Sequence, residues 1–292
     1  MAPVEPILVA FGISHFCEKA RWALDWHRIP YSEISWPPGV HRVLLKRYGA
    51  KGSSLPVVLD GESVIEGSGA IIDWTESKAE DRTRSLNPRT DDQAEVREIE
   101  RRADEVIGVH VRRLAYAETL PSYSHLVKPA LFLRSSAWHR FLGHLMWPIT
   151  RQAMMRAYDI RPGAASESRS ELESELDWLD GKLSDGRFYL AGDRFSRADL
   201  TVASLLAGFA RPEQLSRRMT PPDALVADIE RWRPRPECSG SLSSIGGTAI
   251  QEKRCIGLFE RGPQGSMSTA LVSLRLVGFF THFSTGIFCA DR

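Results

Sequence analysis

The order in which extended and helical patterns follow one another over the first eighty residues limits the fold more than any other feature of the chain. Ile7-Leu8-Val9-Ala10-Phe11 is a short apolar run between Pro6 and Gly12, the length of a buried strand rather than of a helix. From Cys17 to His27 the period changes. Cys17, Ala20 and Leu24 share one face while Glu18, Arg21 and Asp25 lie largely on the other, which predicts an amphipathic helix that Pro30 keeps from running on. Tyr31 to Ile34 is extended again, Pro37-Pro38-Gly39 turns the chain, and Val40 to Tyr48 reads as a short helix. Pro56-Val57-Val58-Leu59 and Ser63-Val64-Ile65 flank Asp60-Gly61, a hairpin-turn signal. A helix from Ser68 to Lys78 closes the unit.

That succession of strand, helix, strand, helix, hairpin and helix is the thioredoxin-like topology, with a right-handed crossover expected between its parallel strands. At roughly 100–200 residues per domain, a chain of 292 residues has room for a second domain. Glu80 to Pro88 is charged and polar, the composition of a linker. Beyond it the patterns are helical, notably over Asp91 to Glu118, Ser170 to Leu183 and Ser196 to Phe209. The expected division is an α/β domain over residues 1–80, a linker over 81–87, an all-α domain over 88–236 and an atypical tail over 237–292. The tail carries three of the four Cys and no sustained amphipathic period, so it is expected to attach loosely.

Lys and Arg number 38 against 37 for Asp and Glu, a net charge of +1, too little to recruit nucleic acid. The Cys lack metal-ligand spacing, which argues against a zinc site or a disulfide framework and for a reducing compartment such as the cytoplasm. No secretory signal is read at the N-terminus. Ala270 to Phe288 is interrupted by Arg275 and His282, so no membrane span is expected.

The chemistry concentrates at Ile13-Ser14-His15-Phe16-Cys17, between the first strand and the first helix, where free amides and the helix dipole favour an anion. The stretch resembles the active-site turn of glutaredoxins, with Ser14 at the leading position and Cys17 at the resolving one. It resembles more closely still the Ser-type members of the glutathione transferase superfamily. The resemblance implies that the Ser14 hydroxyl hydrogen-bonds the glutathione sulfur and favours its ionised form. Read from its position alone, Ser14 is equally a helix cap, and Cys17 is either a small buried hydrophobe or a redox thiol. Leu55-Pro56 matches the family's cis-proline element, which faces the cysteinyl part of glutathione. Glu66-Gly67-Ser68 resembles its acid-Ser signature, implying that Ser68 holds the γ-glutamyl carboxylate. The acid normally next to the Ser is Gly67 here, and Glu66 stands one residue earlier. His41, with Arg42, occupies the region where relatives place a basic group for the glycine carboxylate; a solvated basic pair is the plainer reading.

Phe195-Ser196-Arg197-Ala198-Asp199-Leu200 resembles the family's capping segment in the rear domain. Ser196 and Asp199 have capping-box spacing, and Phe195 is placed to staple against Leu200. The resemblance thus spans Ile7 to Pro236 and implies a transferase that conjugates glutathione, as co-substrate and without a metal, to a small apolar electrophile. Detoxification in the cytoplasm and homodimerisation come with the family. The electrophile would lie against the helices over Asp91 to Glu118 and around Trp138 to Tyr158. Two alternatives stay open: a glutathione-dependent thiol reductase acting through Cys17, and a non-catalytic binding protein that kept the fold.

Overall fold

The computed structural model describes residues 5–232 apart from 88–89, 133–134, 136, 211–220 and 222. Residues 237–292, for which a loosely attached tail is expected, lie outside the described residues.

The first part is a four-stranded sheet in the order β2-β1-β3-β4. Its strands are β1 (Ile7–Val9), β2 (Ser32–Ile34), β3 (Val57–Asp60) and β4 (Ser63–Glu66). β1 runs parallel to β2 and antiparallel to β3, which pairs antiparallel with β4. The two-residue period sorts its side chains. Leu8, Ala10 and Val58 pack against α1 (His15–Trp26) and α3 (Ser68–Lys78), through Cys17, Ala20, Leu24 and Ile71. Val9, Val57 and Leu59 face the other way, against Trp36 and Leu45, the latter on α2 (Val40–Arg47). β1 and β3 thus have apolar residues for both layers, which is why these runs lack polar alternation. The hairpin differs from expectation by one residue. Asp60 stays in the ladder opposite Ser63, so Gly61 and Glu62 form the loop, with Gly61 at φ +60°.

The second part is helical: α4 (Gln93–Arg102), α5 (Gly108–Thr119), α6 (Ser124–Leu131), α7 (Ala137–Leu145), α8 (Trp147–Ala157), α9 (Ala164–Leu183), α10 (Arg197–Ala210) and α11 (Asp223–Trp232). α4 and α5 are joined without a break by a π-helical turn, Ala103–Ile107. Its core runs from Val96 and Ile99 through Leu114, Leu172, Leu176 and Leu205 to Trp232. The two parts meet where Ala23 and Ile72 pack with Phe195 and Leu200, so the expected staple pair also seals the junction. The connection between the parts is pinned. Glu76 accepts hydrogen bonds from the Leu86 N–H and from the Ser85 hydroxyl at 2.9 Å, and Trp26 donates to the Arg84 carbonyl. Among the described residues no helix is long and apolar enough to cross a membrane.

Candidate functional site

The sheet register gathers the candidate residues. Val9 lies opposite Val57, and Val57 opposite Glu66. The turn after β1, the residue before β3 and the residues after β4 therefore leave the sheet at the same end. Ser14, Pro56 and Ser68 belong to those three segments.

Ser14 is the N-cap of α1, with φ −83° and ψ 118°. Its hydroxyl oxygen accepts from the Cys17 N–H at 3.4 Å, a long bond and a weak cap. The hydroxyl also lies within hydrogen-bonding reach of the Cys17 thiol, where it acts to lower that group's pKa, and as a hydroxyl it can donate to sulfur. Its neighbours are fixed in the helical part. His15 Nε2–H donates to the Gly108 carbonyl at 2.8 Å, and burial lowers the His15 pKa to about 4, so the ring is neutral. Ile13 packs against the cluster of Leu120, Leu131 and Trp147, which Tyr116, Met155 and Tyr158 also border. The Phe16 ring lies against Gly108, where a Cβ would come within 2.5 Å of it, so only glycine permits this approach of α1 to α5.

Cys17, three residues after Ser14, is wholly buried among Leu8, Ala10 and Ala20. Burial pushes its thiol pKa up. A reactive Cys needs the opposite, exposure and a stabilised thiolate.

The Leu55–Pro56 peptide is cis. The Pro56 carbonyl accepts from the Gly67 N–H at 3.0 Å, which couples this segment to the start of α3. Ser68 is the first residue of α3 and is 7 % exposed. Its hydroxyl has no partner among the described residues, and the first-turn amides around it have none within the helix. Gly67 sits at φ +91°, a conformation that side chains disfavour, and this accounts for glycine where the resemblance calls for an acid. Glu66 does not substitute for that acid. Its carboxylate accepts from the Lys51 and Gly52 N–H groups, each at 2.7 Å.

His41 is buried rather than solvated. Its Nδ1 accepts from the Gly39 N–H at 3.1 Å, its Nε2 lies 3.1 Å from the Ser53 carbonyl, and Phe11 meets it edge-on at 5.0 Å. Burial lowers its pKa. Its ring braces the segment leading to Pro56.

Sequence reasoning missed a charged network behind α3. Lys19, wholly buried in α1, donates to Glu100 at 3.1 Å and to Asp104 at 2.7 Å. Arg197, 1 % exposed, holds Glu100 and Asp73, with a longer bond to the Gly69 carbonyl at 3.4 Å. Charges this buried persist only when paired, and here the pairing ties α1, α3, α4 and α10 together. The signal was a Lys at position 19 among the apolar positions of α1. In the capping segment, the Asp199 carboxylate accepts from the Ser196 N–H and hydroxyl and from the Leu190 N–H. Trp138 and Phe141, expected near the second substrate, are 67 % and 59 % exposed on α7, whereas Met155 and Tyr158 border the same apolar cluster as Ile13.

Comparison with known proteins agrees with this arrangement. The model of the glutathione S-transferase N-terminal domain matches residues 8–83, and that of the C-terminal domain matches residues 162–236. Together they cover just over half of the chain. Among solved structures, the chain is similar to the beta-etherase LigF from Sphingobium sp. strain SYK-6, at 17 % identity and a TM-score of 0.51 over 81 % of this chain and 98 % of that one. It is similar to the glutathione transferase GSTFuA3 from Phanerochaete chrysosporium, at 20 % and 0.52 over 79 % and 96 %. A glutathione S-transferase from Sinorhizobium meliloti 1021 gives 17 % and 0.53 over 85 % and 98 %. At these identities the likeness is one of fold. No curated protein matches the sequence.

Proposed function

We propose, because the chain belongs to the glutathione S-transferase superfamily, that it binds glutathione at the sheet end shared by Ser14, Pro56 and Ser68 and conjugates it to an apolar electrophile. The observation that carries this reading is the Ser14 hydroxyl, a donor placed at the N-terminus of α1. A hydroxyl that donates to sulfur stabilises the thiolate over the thiol, and the helix dipole acts in the same direction. Ser68 and the first-turn amides of α3 receive the γ-glutamyl carboxylate. The cysteinyl backbone lies along Leu55 and Pro56. In the reaction the sulfur forms a bond to the electrophilic carbon, the thiol proton passes to solvent, and the leaving group departs with its electron pair. On this reading residues 1–80 are the glutathione domain and residues 88–236 the helical one, and the protein works as a cytoplasmic homodimer.

One observation favours a second reading, a binding protein that does not catalyse. Glu66 is occupied by the 51–52 amides and position 67 is glycine, so the signature supplies no carboxylate for the ligand's amino group. Calorimetry with glutathione tests the transferase reading. Saturable binding at one site per chain supports it, and complete absence of heat leaves only the fold.

A further inference from the structure

One charged side chain beside Ser14 has no role in that scheme. On α5, Gly108, Arg112 and Tyr116 are four residues apart and so lie along one face of the helix. Two of them meet the first residues of α1: the Gly108 carbonyl takes His15 Nε2–H, and the Arg112 guanidinium lies 5.7 Å from the Phe16 ring centroid. Tyr116 packs against the same apolar cluster as Ile13. Tyr158 completes the wall, 4.5 Å from the Arg112 guanidinium and stacked on Tyr116 at 5.3 Å.

Arg112 has no acidic partner among the described residues, and its Nε is buried without a hydrogen bond. Its sequence neighbour shows the contrast: Arg113 holds Asp159 and Glu167. The single carboxylate of α5, Glu118, pairs with Arg169. Nothing else on the wall balances the charge. His15 is neutral, and burial pushes the Tyr116 phenol far above neutrality. A half-buried guanidinium framed by three aromatic rings matches an aromatic ring bearing an anion. The rings accept stacking, and the planar fork accepts a carboxylate with two parallel hydrogen bonds.

We propose that Arg112 is a specificity residue that anchors an anionic group on the second substrate, making carboxylate-bearing aromatic electrophiles the preferred class. The assignment rests on the transferase reading above, with the ring held against Phe16, Tyr116 and Tyr158 and its reactive carbon toward Ser14. The sulfur attacks the ring carbon, and a halide or similar group leaves.

The test separates binding from turnover. Calorimetry on the full chain compares 3,5-dinitrobenzoate with uncharged 1,3-dinitrobenzene in the parent, in Arg112→Gln and in Arg112→Lys. The parent should favour the carboxylate by about tenfold or more, Arg112→Gln should lose that preference and leave 1,3-dinitrobenzene within about twofold, and Arg112→Lys should recover part of it. Equal affinity of the parent for the two ligands, or equal losses for both in Arg112→Gln, overturns the assignment. With glutathione, 4-chloro-3,5-dinitrobenzoate and 1-chloro-2,4-dinitrobenzene report turnover, and Arg112→Gln should raise KM for the first alone. Selective carboxylate binding without turnover of either compound supports the Arg112 site and counts against the transferase reading. An equal fall in turnover of both compounds with a shifted pH profile places Arg112 on the thiolate and overturns the assignment.

Discussion

His41 Nε2 lies 3.1 Å from the Ser53 carbonyl while its Nδ1 takes the Gly39 N–H, so one ring joins the start of α2 to the segment that ends in Pro56. Removing it should act on glutathione through the loop rather than through charge. His41→Ala is predicted to weaken glutathione binding about fivefold, the equivalent of one hydrogen bond near 1 kcal/mol. His41→Gln, which keeps a donor for Ser53, should recover part of it in the same calorimetric titration. Unchanged affinity in both variants would remove His41 from any link to the site.

Ser14→Ala should lower conjugation by raising the pKa of bound glutathione. Its cap bond is 3.4 Å long, so the stability cost should stay at or below about 1 kcal/mol, the usual worth of a cap. The pH–rate profile reads the difference: the ascending limb should move to higher pH in the variant. Superimposable profiles would leave Ser14 as a cap and nothing more.

The strands and α3 are legible in the sequence because each is bounded by Pro, Gly or a turn pair, and because three-residue apolar runs have no room to be helices. α4 and α5 read as one helix because the π turn at Ala103–Ile107 carries helix-forming residues and leaves no compositional mark. The positions of the candidate residues Ser14, Pro56 and Ser68 are legible because a motif fixes the backbone there. A role is not legible where function depends on which partner a side chain finds. Glu66 and His41 are the residue types that a glutathione site calls for. Backbone amides take the first and a backbone carbonyl the second, and no local pattern encodes those distant pairings. Lys19 and Arg197 find each other's acids across about eighty and a hundred residues of chain for the same reason.

Ser68→Ala separates binding from folding. A charge-assisted hydrogen bond to a carboxylate contributes about 1.5–3 kcal/mol, and this hydroxyl makes no cap bond of its own. Glutathione affinity should therefore fall by about tenfold or more while the melting temperature stays within about a degree or two. A large loss of stability with unchanged affinity would take Ser68 out of the site.

His15 supplies a pH prediction. Its folded pKa is lowered from 6.5 to about 4 by burial, so between those values the unfolded chain binds the proton and the folded one does not. Stability from this group is present above about 6.5 and is lost as pH falls toward 4. His15→Gln, which keeps a donor for Gly108, cannot titrate, so its melting temperature should fall less than the parent's between pH 7 and pH 5. Parallel curves would mean that the imidazole is not held neutral.

Asp199 titrates in the opposite sense. Burial raises its folded pKa from 3.8 to about 6, outweighing the hydrogen bonds from Leu190 and Ser196. Below about pH 4 both states hold the proton. As pH rises from 4 to 6 the unfolded chain releases it first, so the stability contributed by this group declines across that window. Asp199→Asn turns one oxygen acceptor into an N–H₂ donor facing backbone N–H groups, and an unsatisfied buried donor costs about 1–3 kcal/mol. The variant should be the less stable at every pH. Its deficit relative to the parent should shrink as pH rises from 4 to 6, because only the parent loses the proton. Urea unfolding of both proteins at pH 4.5 and pH 7 reads the two deficits directly. A deficit that grows with pH would show that the three hydrogen bonds, rather than burial, set the charge of Asp199.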